Sequence, residues 1–189
     1  MQYPLISEYI EAIRYAEDNF DKLSNLRPVL DDNGNPVMSS GNFAVVFKMK
    51  DIETGKMYAV KCFTREQEER EERYREIIKV LEHVKSQYFV STQYYDKELF
   101  VDTSQGDETE FPVLVMDWVD GYPVDQFIQD NISNKYRLQL LTYNFCQLGV
   151  WLLSRQIAHG DLKPDNIIVR EDFSLVVVDY DGMFIPAFY

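Results

Sequence analysis

The residues His159-Gly160-Asp161-Leu162-Lys163-Pro164-Asp165-Asn166 put an acid, a cation and an amide on one short stretch. Thirteen residues after Asn166 comes Asp179-Tyr180-Asp181-Gly182. Alone, any of these acids would more often be a turn or cap residue. Together they suit phosphoryl transfer, which asks a protein for positioning and charge neutralisation more than for covalent chemistry. An Asp on a loop can accept or orient a hydroxyl proton. A Lys two residues on returns to the same face of an extended loop, beside a transferring phosphate. An Asn five residues on stands at the loop's end and can hold Mg²⁺. A second acid returned to the same mouth completes a pair of hard oxygen ligands, the kind Mg²⁺ prefers.

Several elements must place these groups. Ile167-Ile168-Val169 and Leu175-Val176-Val177-Val178 read as the hairpin that carries Asn166 back to Asp179. Before the loop, Leu138, Leu141, Phe145, Leu148 and Leu152 share one face of a helix predicted over Lys135–Ser154, after a shorter one near Val124–Asp130. Upstream, Phe43 to Phe47 and Met57 to Phe63 read as strands joined by the turn Thr54-Gly55-Lys56. Tyr88–Val101 and Phe111–Met116 are two more strand candidates, with polar Asp102–Glu110 between them. A helix is predicted over about 64–86, with Thr64 and Gln67 as a capping box and an apolar stripe at Ile77, Val80, Leu81 and Val84. Near the start, Leu5, Tyr9, Ala12, Ala16 and Phe20 recur at helical spacing, and Pro28 and Asp31–Pro36 then give an extended piece and a tight turn.

The 159–166 and 179–182 segments resemble the catalytic loop and magnesium motif of eukaryotic-like Ser/Thr protein kinases. The resemblance implies that Asp161 is the catalytic base, Lys163 the phosphate contact, and Asn166 and Asp179 the metal ligands. Ala59-Val60-Lys61 is similar to the strand whose Lys grips the α- and β-phosphates. That Lys61 needs a carboxylate from the following helix, for which Glu76 is the first choice and Glu72 the alternative. Ser39 to Val46 aligns with the Gly-rich phosphate loop, of which Gly41 alone keeps its glycine. Val46, Ala59 and Ile168 would sandwich adenine. Val115 to Val119 is similar to the hinge, with Met116 as gatekeeper and the backbones of Asp117 and Val119 bonding adenine. The cofactors implied are ATP and Mg²⁺.

The implied fold is α+β and protein-kinase-like. It has an antiparallel five-stranded N-lobe sheet with its helix, a partial, mainly helical C-lobe, and an extra N-terminal helix. The domain reading is a helical extension over 1–36, an N-lobe over 37–116, and hinge and partial C-lobe over 117–189. Two departures stand out. Gly160 occupies the place where many protein kinases carry an Arg that pairs with a phosphorylated activation loop. Asp181 replaces the glycine of the magnesium motif, and Gly182 follows it. Both fit a small-molecule kinase of the aminoglycoside or choline type as well. Lys163 and Pro164 speak for the protein kinases. A pseudokinase or interaction module that keeps the fold is the reading without catalysis.

The resemblance runs over about 37–184, so the rest of a C-lobe, a second copy, or the N-terminal helix is expected to cover the apolar surface of the 135–154 helix. The net charge of −13 disfavours nucleic acid and anionic membranes as partners. It also obliges any nucleotide site to bring its own positive charge. The protein substrate is not legible. Cys62 and Cys146 lie far apart, without a CxxC partner, which fits a reducing cytoplasm rather than a disulfide framework. No run of apolar residues is long enough to span a bilayer.

Overall fold

The structure is a computed structural model that describes residues 2–188. Met1 and Tyr189, the outer ends of the expected extension and partial C-lobe, lie outside the described residues. The chain forms two compact units. One comprises Met1–Glu72 with Thr92–Trp118, the other Arg73–Ser91 with Val119–Tyr189. The architecture is α+β, as the resemblance implies.

The first unit is built on an antiparallel sheet of β1 (Leu26–Pro28), β2 (Met38–Ser40), β3 (Ala44–Asp51), β4 (Met57–Phe63), β5 (Thr92–Phe100) and β6 (Glu110–Asp117). The order is β1-β3-β4-β6-β5, with β2 also pairing β3. The expected five strands are β2 to β6. The sixth, β1, comes from the extended piece before Pro28. The strand predicted over 88–101 begins only at Thr92.

Strand alternation decides what the sheet faces. Val45, Phe47 and Met49 on β3, Val60 and Cys62 on β4, and Val113 and Val115 on β6 point to one side. Helix α1 (Ile6–Arg14) and the single turn α2 (Ala16–Asn19) cover that side with Tyr9, Ile13, Ala16 and Phe20. The expected continuous helix is broken at Tyr15, whose ψ of 45° leaves the helical range. The Asn19 amide donates to Ala12 O at 2.9 Å, adding to the Tyr15 N–H that the same carbonyl accepts at 3.3 Å. The N-terminal segment is therefore a layer of this unit, and its apolar stripe is consumed by the back of the sheet. Ile13 has no exposed surface. Ile13→Ala is expected to lower unfolding free energy by about 3 kcal/mol in urea titrations. A change within about 0.5 kcal/mol would mean that the helix does not pack there.

Helix α3 (Arg70–Val84) starts later than predicted. Its beginning is set by Arg70, not by Thr64. The Arg70 guanidinium is buried, receives no water-like freedom, and donates to Tyr3 Oη at 2.8 Å and to Arg65 O. It also lies 4.1 Å over the Phe63 ring. Glu69, just before it, sits at φ 56°, which no helix continues through. The buried stripe is Arg70, Tyr74, Ile77 and Leu81, whereas Val80 and Val84 are only half-buried.

The second unit holds most of α3, then α4 (Val124–Asp130), α5 (Lys135–Arg155) and a small sheet of β7 (Tyr122–Pro123), β8 (Ile167–Val169) and β9 (Leu175–Val177). Asn134 caps α5 by accepting the Arg137 N–H at 3.1 Å, and Gln156 ends it in the left-handed region at φ 56°. Leu141, Leu148 and Leu152 are buried as predicted. Phe145, expected on that face, is 43% exposed, and Leu138 is half-buried. Tyr136, Tyr143, Val150 and Leu153 are exposed as well. No helix among the described residues is long and apolar enough to cross a membrane.

Candidate functional site

The residues singled out for chemistry divide between the two units. In the first, the face of the sheet turned away from α1 carries them in adjacent cross-strand rows. Val46 lies opposite Lys61, and Lys61 opposite Leu114. In the next row Lys48 lies opposite Ala59, and Ala59 opposite Met116. Val46, Ala59, Lys61 and Met116 thus share one patch of one face. Lys61 is only 4% exposed, so its ammonium is held at the sheet rather than waving in solvent. Gly41 sits at the tip of the β2–β3 hairpin, where its N–H donates to Ala44 O at 2.9 Å. An added Cβ there would meet nothing closer than 3.9 Å.

At the end of β6, Trp118 N–H donates to Met57 O at 3.1 Å. Asp117 faces Tyr58 in the neighbouring pair, so strand alternation turns its backbone groups away from β4. Its side chain pairs with Lys56 at 2.7 Å. Val119 follows as the first residue of the second unit's large segment and is half-buried.

In the second unit the loop 159–166 gathers two side chains around one carboxylate. Lys163 Nζ donates to Asp161 Oδ2 at 2.8 Å and Asn166 Nδ2 donates to the same oxygen at 3.0 Å. Asn166 Nδ2 also donates to Asp161 O at 2.9 Å, and the Lys163 N–H to that carbonyl at 3.0 Å. The Lys163 ammonium holds the Asp161 carboxyl below the usual carboxylate range, and Asp161 in turn raises Lys163. Asp161 Oδ1 is left without a protein partner among the described residues, free to accept a proton from a hydroxyl. Pro164–Asn166 forms a 3₁₀ turn that buries Asn166 while Asp161 and Lys163 stay about half exposed.

The walls of this loop are fixed. His159 is buried, and its Nε2 lies 3.0 Å from Val178 O, an acceptor only, so Nε2 carries the hydrogen. Burial keeps its pKa low. Val178 N–H donates to Asn166 O at 3.0 Å, tying the loop's end to the strand before Asp179. Tyr180 is fully buried; its hydroxyl donates to Val177 O at 2.9 Å and accepts the Val90 N–H at 3.0 Å. Asp179 itself is in the left-handed region at φ 66°. Ile168, the expected floor of the adenine site, lies on β8 opposite Pro123 and Val176.

The two departures from the motif explain one another. Gly160 has φ +79°, and a Cβ built on it would lie 2.0 Å from Gly182 O and 2.7 Å from Gly182 C. The catalytic loop and the turn after Asp179 touch backbone to backbone. An Arg at 160 has no room against that carbonyl. After it, Ala158 and Phe184 exchange N–H···O bonds of 2.9 and 2.7 Å.

The donor set suits a divalent cation. The Asn166 amide nitrogen is spent on Asp161, so its side-chain oxygen is the atom through which Asn166 could serve a cation. Among the described residues no three His, Cys, Asp or Glu side chains cluster as a metal nest, so phosphate oxygens would have to complete the shell.

A family model described as "Protein kinase domain" matches residues 35–183. The chain belongs to the protein kinase domain family. Kinase domains use ATP with a divalent metal, and that much is fixed by membership. This kinase domain is similar to serine/threonine-protein kinase 32C of Mus musculus, 28% identical over 180 residues, 87% of this chain and 32% of that protein. A probable serine/threonine-protein kinase, fhkC of Dictyostelium discoideum, is 29% identical over 152 residues, 76% of this chain and 24% of that one. Serine/threonine-protein kinase CG17528 of Drosophila melanogaster is 25% identical over 138 residues, 72% and 17%. The kinase domain thus spans between 17% and 32% of the length of these relatives.

Glu76, the expected partner of Lys61, lies on α3 and is half-buried; it pairs with Lys79 at 2.5 Å. Glu72 is exposed. Sequence reasoning passed over Arg73 and Tyr74. Arg73 Nη2 donates to Met183 O at 2.9 Å, and the Tyr74 hydroxyl donates to Asp181. The signal was there, since Tyr74 stands three residues before Ile77 on the buried stripe.

Proposed function

We propose that this kinase domain transfers the γ-phosphate of Mg²⁺-bound ATP to Ser or Thr hydroxyls. The observation that carries the reading is the half-exposed Asp161 carboxylate: one oxygen is held by Lys163 and Asn166, while no described protein group donates to the other. In this reading Asp161 orients the hydroxyl and takes its proton. Lys163 offers charge to the phosphate, Lys61 grips the α- and β-phosphates with Glu76 as its carboxylate, and Asn166 and Asp179 hold the metal. Gly41 and Val46, Ala59, Met116, Asp117, Val119 and Ile168 bind the nucleotide. The Ser/Thr preference is carried over from the serine/threonine-protein kinases to which the chain is similar. A small-molecule kinase would use Asp181 as a second metal acid; its hydrogen bond from Tyr74 supports a structural duty instead.

The test is thermal unfolding with and without Mg²⁺-ATP. Ligand at a hundredfold excess over Kd adds about 2.7 kcal/mol, or about 5–10 °C in Tm for a chain of this size. Lys61→Ala and Asp179→Ala should lose most of that shift while melting normally without nucleotide. A wild type indifferent to Mg²⁺-ATP sinks the reading. Transfer of ³²P to a peptide library then separates Ser and Thr from small-molecule acceptors.

A further inference from the structure

Within α3, neighbouring residues reach the same short stretch of chain. The Tyr74 hydroxyl donates to Asp181 Oδ1, and Arg73 Nη2 donates to Met183 O at 2.9 Å. That stretch begins two residues after Asp179. Tyr74 is 2% exposed, so its hydroxyl is committed to the interior, and Asp181 is half-buried. On its other side the stretch is braced by the Gly160–Gly182 backbone contact and by the Ala158–Phe184 bridge. Asp179, two residues before Asp181, is in the left-handed region at φ 66°.

We infer that Tyr74 is a positioning residue for the metal site: by holding Asp181 it fixes the backbone that aims the Asp179 carboxylate. The inference rests on the metal-ligand role given to Asp179 above. The physical reason is the short lever. Asp179 and Asp181 are joined by one residue, and Tyr180 between them is pinned at its hydroxyl from two sides. A segment fixed at 180, 181 and 183 has little freedom left at 179. Asp181 stands where the family's motif has glycine, so this tie replaces conformational freedom with an anchor.

The experiment measures how binding of a fluorescent ADP analogue depends on Mg²⁺, using the whole chain. Partners that orient a metal ligand commonly change metal affinity by about 10–100-fold. Tyr74→Phe is expected to raise the Mg²⁺ concentration for half-maximal binding about tenfold, with analogue binding in EDTA and the melting temperature little changed. Asp181→Asn keeps an oxygen that accepts from Tyr74 and should stay near wild type. Asp181→Ala should match Tyr74→Phe, and the double variant should be no worse than either single one. An unchanged Mg²⁺ requirement in both Tyr74→Phe and Asp181→Ala overturns the inference. So does a loss of metal-free binding and melting temperature in parallel, which would mark a purely structural tie. Should Tyr74→Phe not fold, Asp181→Ala carries the same comparison. A wild type that binds no analogue at any Mg²⁺ concentration overturns the functional reading beneath, whereas normal wild-type binding with indifferent variants overturns only the role of Tyr74.

Discussion

Gly160→Arg, the substitution that would make the loop read like most protein kinases, is expected to unfold the second unit. Two terms add. A non-glycine residue at φ +79° carries strain of about 1–3 kcal/mol. The Cβ would also lie 2.0 Å from Gly182 O, and since that atom is backbone, no rotamer change relieves it. Either the 159–161 segment or the 181–183 turn must move, which breaks the Ala158–Phe184 bridge or the Tyr74–Asp181 bond. The sum passes about 4 kcal/mol, a large part of a domain's 5–15 kcal/mol or so. Gly160→Ala should be nearly as harmful, because the Cβ and not the guanidinium does the damage. Gly182→Ala is the control: its Cβ would meet atoms at 3.3–3.6 Å, and a loss of about 1 kcal/mol is expected. Urea unfolding followed through Trp151, whose ring packs 5.4 Å from Tyr88, reads this unit. A Gly160→Arg chain within about 1 kcal/mol of wild type would show that the two segments do not touch.

What the sequence reveals follows from how local each determinant is. Asp161, Lys163 and Asn166 were legible because all three sit on one loop, and five residues of separation fix how they meet. The strands were legible through alternation, as at Val45, Phe47 and Met49 against Val46 and Lys48. The start of α3 was not, since it is set by Arg70 meeting Tyr3, 67 residues away. The break at Tyr15 was hidden for a similar reason: a helical repeat in the sequence continues through it, and the reward for stopping is the Asn19 bond to Ala12 and the fit of Phe20 on the sheet. Gly160 and Asp181 looked like two separate losses of motif. They became intelligible only once Gly182 and Tyr74 were seen beside them, because a backbone contact and a hydrogen bond spanning 107 residues leave no periodic trace.

Asp161→Asn is expected to lower kcat for phosphate transfer to peptide by about 10²–10⁴-fold, the usual worth of a positioned base, and to leave the KM for ATP near its wild-type value. Asparagine keeps the shape, and its carbonyl can still accept from Lys163 and Asn166, so the loop should persist. What is lost is the outward oxygen able to take a proton. The pH profile separates this from damage to the fold. Lys163 depresses the Asp161 pKa below the ordinary value of about 3.9. Asp161 is therefore ionised throughout the neutral range, and if it acts as the proposed base, the acid limb of kcat/KM belonging to it should fall below pH 4. The stability it contributes has the same sign: present above the unfolded carboxyl pKa and lost as pH falls through the depressed folded value, modestly, because the side chain is half exposed. Lys163→Ala removes that depression and should move the limb upward toward the ordinary carboxyl value while lowering kcat. If Asp161→Asn retained wild-type turnover with an unaltered pH profile, the proton would have to go elsewhere, and the outward oxygen of Asp161 would lose its function.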